Sequence, residues 1–536
     1  MKIQADLENL LLSAAASGFE KNKLFILDKL KAVGLDVKLI ISDVGSSNQV
    51  LVKELGVTDE KPWFIHNGEK VFFIYDPPHL IKCTRNNLKN HNIVINGSTI
   101  AWKFIYQFYK RDICDEIRLA PKLTPKHMIE NNFQKMKVCL AAQIFSRSVA
   151  AGMYLHVMLG ALPPDALPTI KFIENIDKLF DCFNSVSENC PNKYKRYMTD
   201  YTPHIEYLND MKQYIKSWII GENPTNNFPF HTGWLISITA ILLLWKHLKK
   251  HFGFTHLDTR RLNQDPLENF YGLCRMSSPC DKNPKVGTFN TIMKKLTVTT
   301  LLEPPESANC LKDIDSLLLQ CDEVINEMDR HAPEKSITTI RSSHIDPSFS
   351  MTEYNIYLQD FPDDVSMDKV DSLNNLIHSN AIYYFAGYCA FAFLKVNKCK
   401  VCKELLLLKN KTEMTVPQQA FTAFKAYCPN DKSFASGLKL STLPFYRFIT
   451  LLDSKFDTIF KPHCYKRGVG ALVFRDYLED VLPSTTFTLC STDSLYSVLR
   501  FYISCKIYFA VRMHTKRSGR QITSSKRAPK KKVTKT

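Results

Sequence analysis

The spacing of hydrophobic and polar positions changes several times along this chain, and each change predicts an element. Val37 to Ile41 is a short β-branched and aliphatic run, and Gly45, Ser46, Ser47 and Asn48 follow it with turn chemistry. The pattern predicts a buried strand with Asp43 at its C-terminal end, where open α/β sheets gather ligands. An acid there either holds a divalent cation or caps the following helix. Lys70 to Tyr75 reads as a second apolar strand. It runs into Asp76, Pro77 and Pro78, then into a helix carrying His79, Lys82 and Arg85 at helical spacing.

From about Leu88 to Thr255 the texture is that of mixed polar and aliphatic helices. Met136 to Met153 has apolar residues at helical spacing, and Trp102, Phe104, Ile105 and Phe108 read as core. The most apolar run, Trp234 to Trp245, is 12 residues long and ends at Lys246. It falls short of the roughly 18–20 residues a membrane span needs and reads as a buried helix. After Arg260 and Arg261 a further helix is predicted, with Leu267, Phe270 and Tyr271 toward a core and Asp265 and Glu268 sharing one face. A carboxylate pair at this spacing either binds metal or places negative charge in the first turn, where the helix dipole favours it. Residues 302–372 are polar and locally acidic and read as a linker; Ile377 to Leu394 restores an aromatic-rich helix, and helical texture continues to about Met513.

Composition adds a partner and a compartment. The net charge is +17, and nine Lys or Arg without any acid lie between Lys516 and Thr536. Within that basic tail, expected to be disordered, Lys526, Arg527, Lys530, Lys531 and Lys532 read as a nuclear localisation signal or an arm for the DNA backbone. The chain has 16 cysteines and no secretory leader in its sequence, which points to reduced thiols in the nucleus or cytosol. Most, such as Cys139, Cys182 and Cys389, lie in apolar stretches. Cys399 and Cys402 form a CxxC pair that can supply half of a zinc site, with Cys428 or the adjacent His463 and Cys464 to complete it, or else are two buried thiols. No Gly-x-x-x-x-Gly-Lys-Ser/Thr loop occurs, so a P-loop is excluded.

Four blocks, Asp76 to Leu88, Lys135 to Ala150, Arg260 to Gly272 and Ser379 to Ala390, resemble P-element transposases and their THAP-domain relatives, in the family's order. The resemblance implies an α/β plus α architecture. An RNase H-like transposase core, incomplete at its N-terminus, would occupy 1–87 and 256–301. A mostly helical, nucleotide-binding insertion would split it at 88–255, followed by the linker at 302–372, a helical C-terminal domain at 373–513 and the tail at 514–536. In that family two aspartates and a glutamate hold two magnesium ions for attack on a DNA phosphodiester. By motif, Asp43 matches the second aspartate and Glu268 the glutamate. The first aspartate and the THAP zinc finger would lie upstream of Met1, so impaired catalysis is expected. Guanosine triphosphate is the implied insertion ligand, with Lys137, Ser146, Asp181, Asn184 and Asp265 at similar positions. An Asp accepts the guanine N1 and N2 donors and an Asn pairs with O6 or N7, although both residues also serve as helix-end hydrogen bonders.

The expected function is therefore that of a P-element-type transposase or a truncated or domesticated derivative, acting on DNA in the nucleus, with homo-oligomerisation open and no membrane partner. Two alternatives stand beside it: a non-catalytic DNA- or chromatin-binding regulator, and a structure-specific nuclease on the same fold.

Overall fold

The computed structural model describes residues 19–115, 117–128, 132–221, 228–277, 287–289, 291–292, 367–408, 417–425 and 439–525. The expected linker, apart from its last residues, Cys428 and the basic run from Lys526 to Lys532 lie outside the described residues. The chain divides into two compact units, 1–110 with 122–311 and 111–121 with 312–536. The first holds the predicted core together with the predicted insertion apart from residues 111–121.

The first unit is organised by a three-stranded sheet in the order β1-β3-β2, made of β1 (Leu39–Ser42), β2 (Trp63–His66) and β3 (Glu69–Tyr75). The central β3 runs parallel to β1 and antiparallel to β2. Phe72, Phe73 and Ile74 are all buried, so β3 is covered on both faces, as its unbroken apolar run predicts. Asn67 and Gly68 turn β2 into β3 with φ values of 49° and 81°, the left-handed pair that a two-residue hairpin requires. Around this sheet come α1 (Phe19–Ala32), α2 (Ser46–Glu54) and α3 (Pro77–Asn90).

A second three-stranded sheet joins the two ends of the insertion: β4 (Ile93–Ile95) pairs antiparallel with β5 (Ser98–Ile100) and with β6 (Trp218–Ile220). Between β5 and β6 lie α4 (Trp102–Asp112), α5 (Val138–Ile144), α6 (Arg147–Met158), α7 (Leu167–Cys182) and α8 (His204–Lys216). Phe104, Ile105 and Phe108 are buried as expected. The single helix predicted over Met136 to Met153 is two helices. Phe145 ends α5 and Ser146 adopts an extended conformation (φ −88°, ψ 152°) as the N-cap of α6. That break divides the apolar stretch 138–158, which by length and composition alone could cross a membrane.

The helix predicted around Trp234 is longer than the apolar run, α9 (Pro229–Phe252), and it packs against β3 as well as α8. It serves the sheet, not only the insertion to which its sequence position assigns it. Ser237 Oγ accepts from Tyr75 N at 3.0 Å and donates to the Tyr75 carbonyl at 3.2 Å, and Trp234 Nε1 donates to Thr84 Oγ1 at 2.9 Å. Gly233 makes this approach possible, because a Cβ there would stand 2.7 Å from Leu80 Cδ2. After it, α10 (Asp265–Ser277) returns to the ends of the strands.

The second unit is helical: α11 (Met367–Val396), α12 (Lys400–Leu406), α13 (Leu443–Phe460), α14 (Val469–Asp476) and α15 (Thr492–Ser525). Tyr383 of α11 donates to the Ser441 carbonyl at 2.6 Å and accepts from Gln419 Nε2 at 3.0 Å. Gly387 touches the same strand of backbone, since a Cβ would fall 2.2 Å from the Lys439 carbonyl oxygen.

Candidate functional site

Strand register brings the acids together. Ser42 of β1 stands opposite Tyr75 of β3, so the next residue of each strand, Asp43 and Asp76, leaves the sheet at adjacent C-terminal ends. The Asp76 amide donates to the Ser42 carbonyl at 2.7 Å, carrying the pairing one step beyond the strands. From far along the chain, Gln264 N donates to Asp76 Oδ1 at 2.8 Å and Gln264 Nε2 donates to the Ile41 carbonyl at 3.4 Å. This docking sets where α10 starts, and so where Glu268 stands.

Each carboxylate is held differently. Asp43 Oδ1 accepts from Gly45 N at 2.9 Å and from Asn48 Nδ2 at 2.5 Å. Gly45, not Asp43, is the N-cap of α2, so the capping alternative gives way. Burial opposes the Asp43 charge, but the Gly45 N–H, Asn48, His79 and Lys82 outweigh it and hold the carboxyl below its ordinary range. Glu268 is 44% exposed, with Oε1 3.5 Å from His79 Nε2. Its bond to His79 lowers its pKa against the effect of burial, with Lys82 assisting. Asp76 is buried and caps α3, its Oδ2 accepting from His79 N at 3.0 Å. Burial pushes its carboxyl up to about 6 despite the Gln264 amide and His79. Asp265 is likewise raised by burial and then by Glu268, with Asn263 opposing.

Lys82 lies among these acids and is only 8% exposed. Burial lowers its pKa, while Glu268, Asp76, Cys83 and Asp43 pull it back, in that order. Four carboxylates, all hard oxygen donors, thus gather around one lysine and one histidine, with Arg260 acting on Asp265 and Arg275 on Glu268. Among the described residues no three of these acids lie at mutual ligating distance; the group that does is Cys399, Cys402 and Cys490.

The two carboxylates nominated from sequence therefore meet in one cluster, and Asp265 joins them. Asp76, His79 and Lys82 were not nominated. The signal for Asp76 is its place at the end of an apolar run, directly before Pro77, as Asp43 ends its own run. Leu267 and Tyr271 do not face a core, being 48% and 42% exposed. The reason is that α10 is anchored through Gln264 at its start and through buried Cys274 farther along.

Of the nominated insertion residues, Lys137 and Ser146 stand at helix starts and Asp181 and Asn184 at a helix end. Lys137 is exposed and forms the N-cap of α5, and Ser146 that of α6. Arg85 of α3 donates to the Lys135 carbonyl at 2.7 Å, holding the approach to Lys137 against the core. Asp181 is buried at the end of α7, with Oδ2 accepting from Asn192 Nδ2 at 2.6 Å and Oδ1 3.4 Å from Lys195 Nζ. Asn184 follows, half-buried, its N–H on the Asp181 carbonyl at 3.0 Å. Thr259 Oγ1 donates to the Cys182 carbonyl at 2.8 Å and Ser185 Oγ donates to Asp258 Oδ1 at 2.6 Å. These bonds lay the Asp181 to Ser185 segment alongside the stretch that leads to Asp265.

In the second unit Cys399 and Cys402 come together with Cys490, which sequence spacing did not suggest. His463 is committed elsewhere, its Nε2 2.5 Å from Asp476 Oδ2, and the Cys464 thiol donates to the Lys461 carbonyl at 3.3 Å. Neither completes the CxxC pair.

Comparison with known proteins relates this chain to transposases. Residues 78–196 match the family model of the TNP-like, GTP-binding insertion domain. Over 303 residues, 55% of this chain, the sequence is 29% identical to the Transposable element P transposase of Drosophila melanogaster, and the match spans 40% of that protein. The Drosophila P element transposase strand transfer complex is similar in structure, with a TM-score of 0.50 and 27% identity over 55% of this chain and 66% of that one. The chain thus matches less than two thirds of the length of either relative. The resemblance carried by the four blocks is borne out as homology to P-element transposases.

Proposed function

We propose that this chain is a P-element-type transposase, or a derivative of one, whose RNase H-like core binds DNA and uses Asp43 and Glu268 for metal-dependent phosphodiester chemistry. The observation that carries the reading is the convergence of Asp43, Asp76, Asp265 and Glu268 at the carboxyl ends of two parallel strands, from segments far apart in sequence. Four carboxylates around Lys82 and His79 fit a hard divalent cation, for which Asp43 and the partly exposed Glu268 are the donors. A bound magnesium ion would supply charge stabilisation at the reacting phosphate and a more acidic attacking hydroxyl. Asp76 and Gln264 do the positioning: they join α3, α10 and the end of β1, so Glu268 is presented from a braced helix end.

The insertion, in this reading, binds guanosine triphosphate through Lys137, Ser146, Asp181, Asn184 and Asp265, with Asp181 and Asn184 reading the guanine. The family match over 78–196 and the stitching of 181–185 to the approach of α10 support it. The basic run from Lys526 to Lys532 would direct the protein to the nucleus or hold the DNA backbone, and self-association on DNA fits a strand-transfer role.

The test is strand nicking and joining on DNA with magnesium or manganese, with and without guanosine triphosphate. Wild-type activity should fall by at least about a hundredfold in Asp43→Ala and in Glu268→Ala. If wild type and both variants are equally silent while all three bind DNA with a steep salt dependence, the catalytic reading fails and a DNA-binding regulator replaces it. Cutting without any joined product would instead favour a nuclease.

A further inference from the structure

The second unit brings together three thiols that none of the preceding chemistry uses. Cys399 is the N-cap of α12 and Cys402 lies one turn into that helix. Cys490 stands 88 residues further on, just before α15. Cys402 Sγ is 3.0 Å from Cys490 Sγ, and all three sulfurs lie within 4.8 Å of one another. Tetrahedral zinc with sulfur ligands at about 2.3 Å sets neighbouring sulfurs about 3.8 Å apart, inside this spread.

The surroundings hold the trio in place. The far end of α12 is tied down by Thr442, whose N–H reaches the Leu406 carbonyl at 3.0 Å and whose Oγ1 reaches the Leu405 carbonyl at 2.6 Å. Leu406 and Cys402 are both fully buried. On the other side, Ser491 Oγ accepts from Ser494 N at 3.2 Å, which fixes the entry to α15. Cys402 is enclosed, Cys399 half-buried and Cys490 exposed, so the cluster is closed on the protein side and open on one.

We infer that Cys399, Cys402 and Cys490 form a thiolate site for zinc, with a fourth position open to solvent beside Cys490. The donor set is soft and all sulfur, unlike the carboxylates of the first unit, and so selects zinc over magnesium. Binding would release thiol protons and fasten α12 to the start of α15, closing a long loop. The inference does not rest on the reading of the acidic site.

Cobalt(II), whose sulfur-to-metal charge-transfer absorption reports thiolate ligation, tests this on the full chain under reducing conditions. The expected result is one equivalent of cobalt bound with that absorption and displaced by zinc. Affinity should fall at least about tenfold in Cys490→Ser. Cys464→Ser should leave it unchanged. Cys490→His should retain binding with a weaker charge-transfer band, and because residue 490 is exposed, this variant separates loss of a ligand from loss of folding. Zinc should also raise the unfolding midpoint of wild type but not of Cys490→Ser. Absence of the charge-transfer band in wild type, or an undiminished band in Cys490→Ser, would overturn the proposal.

Discussion

Two clusters in this protein use the same three side-chain types, carboxylate, lysine and histidine, with opposite results. In the second unit Asp453 takes Lys506 Nζ at 2.8 Å and His378 Nε2 at 3.1 Å, and Tyr502 donates to it at 3.3 Å. Lys506 is 1% exposed, and Asp453 answers its charge. In the first unit Glu268, Asp76 and Asp43 all answer Lys82, and Glu268 remains partly open to solvent. The Asp453 cluster sets one buried carboxylate against a buried lysine and a partly exposed histidine. The Lys82 cluster gathers four carboxylates at strand ends, with Arg260 and Arg275 also acting on Asp265 and Glu268. Ionisable groups with shifted titration that gather in a cleft point toward function.

The largest effect should come from breaking the Asp453 cluster. Asp453→Ala removes the carboxylate paired with buried Lys506 and should cost about 3–5 kcal/mol in denaturant unfolding of the full chain. A loss below about 1 kcal/mol would show that water or rearrangement satisfies the lysine, and the contrast would collapse. Lys82→Met comes next. It removes the central counter-charge and should destabilise the first unit by about 1–3 kcal/mol. Millimolar magnesium or manganese should restore part of that loss, whereas neither ion should help Asp453→Ala. Equal behaviour of the two variants toward divalent ions would deny the acidic cluster its cation preference.

The smallest and most diagnostic effect is on pH dependence. Asp76 is pushed up to about 6 by burial, from an ordinary 3.8, so between these values the folded state binds a proton that the unfolded chain has released. Its contribution to stability is therefore present at low pH and declines as pH rises from about 4 to about 6. Asp453 has the opposite sign. Burial raises its pKa but His378 and Lys506 outweigh that and hold it below 3.8, so its contribution is present above that value and is lost as pH falls through it. Unfolding free energies measured across pH 3 to 7 should show the Asp76 decline in wild type and a flatter profile in Asp76→Asn. An unchanged slope in that variant would remove Asp76 from the account.

Much of the first site was legible in sequence because its signals are local. Asp43 follows a β-branched run and precedes Gly45, whose small size is needed where a Cβ would stand 2.9 Å from Asp43 Oδ1. Glu268 was nominated by its match to the family's glutamate, since its helix start alone left both metal binding and the dipole reading open. Asp76 drew no reading beyond its place between a strand and the Pro77 turn, and only the β1 to β3 register shows it standing beside Asp43. The direction of Leu267 and Tyr271 was misread for a related reason: periodicity reports which residues share a face, not which face the neighbouring elements cover. Cys490 gave no sequence signal, since a thiol 88 residues from its partner has no spacing rule to obey.

By itself the sequence determined the local vocabulary of this protein. It set the buried β3 run, the Asn67 and Gly68 turn, the proline-led start of α3, the apolar α9 and the resemblance to transposases, because short-range sterics and hydrophobic period act over a few residues. Tertiary structure alone decided which charged groups share a site, which pairs balance, and which thiols meet. Those outcomes depend on strand register and helix docking between segments as distant as Ile41 and Gln264, and no local pattern encodes such distances.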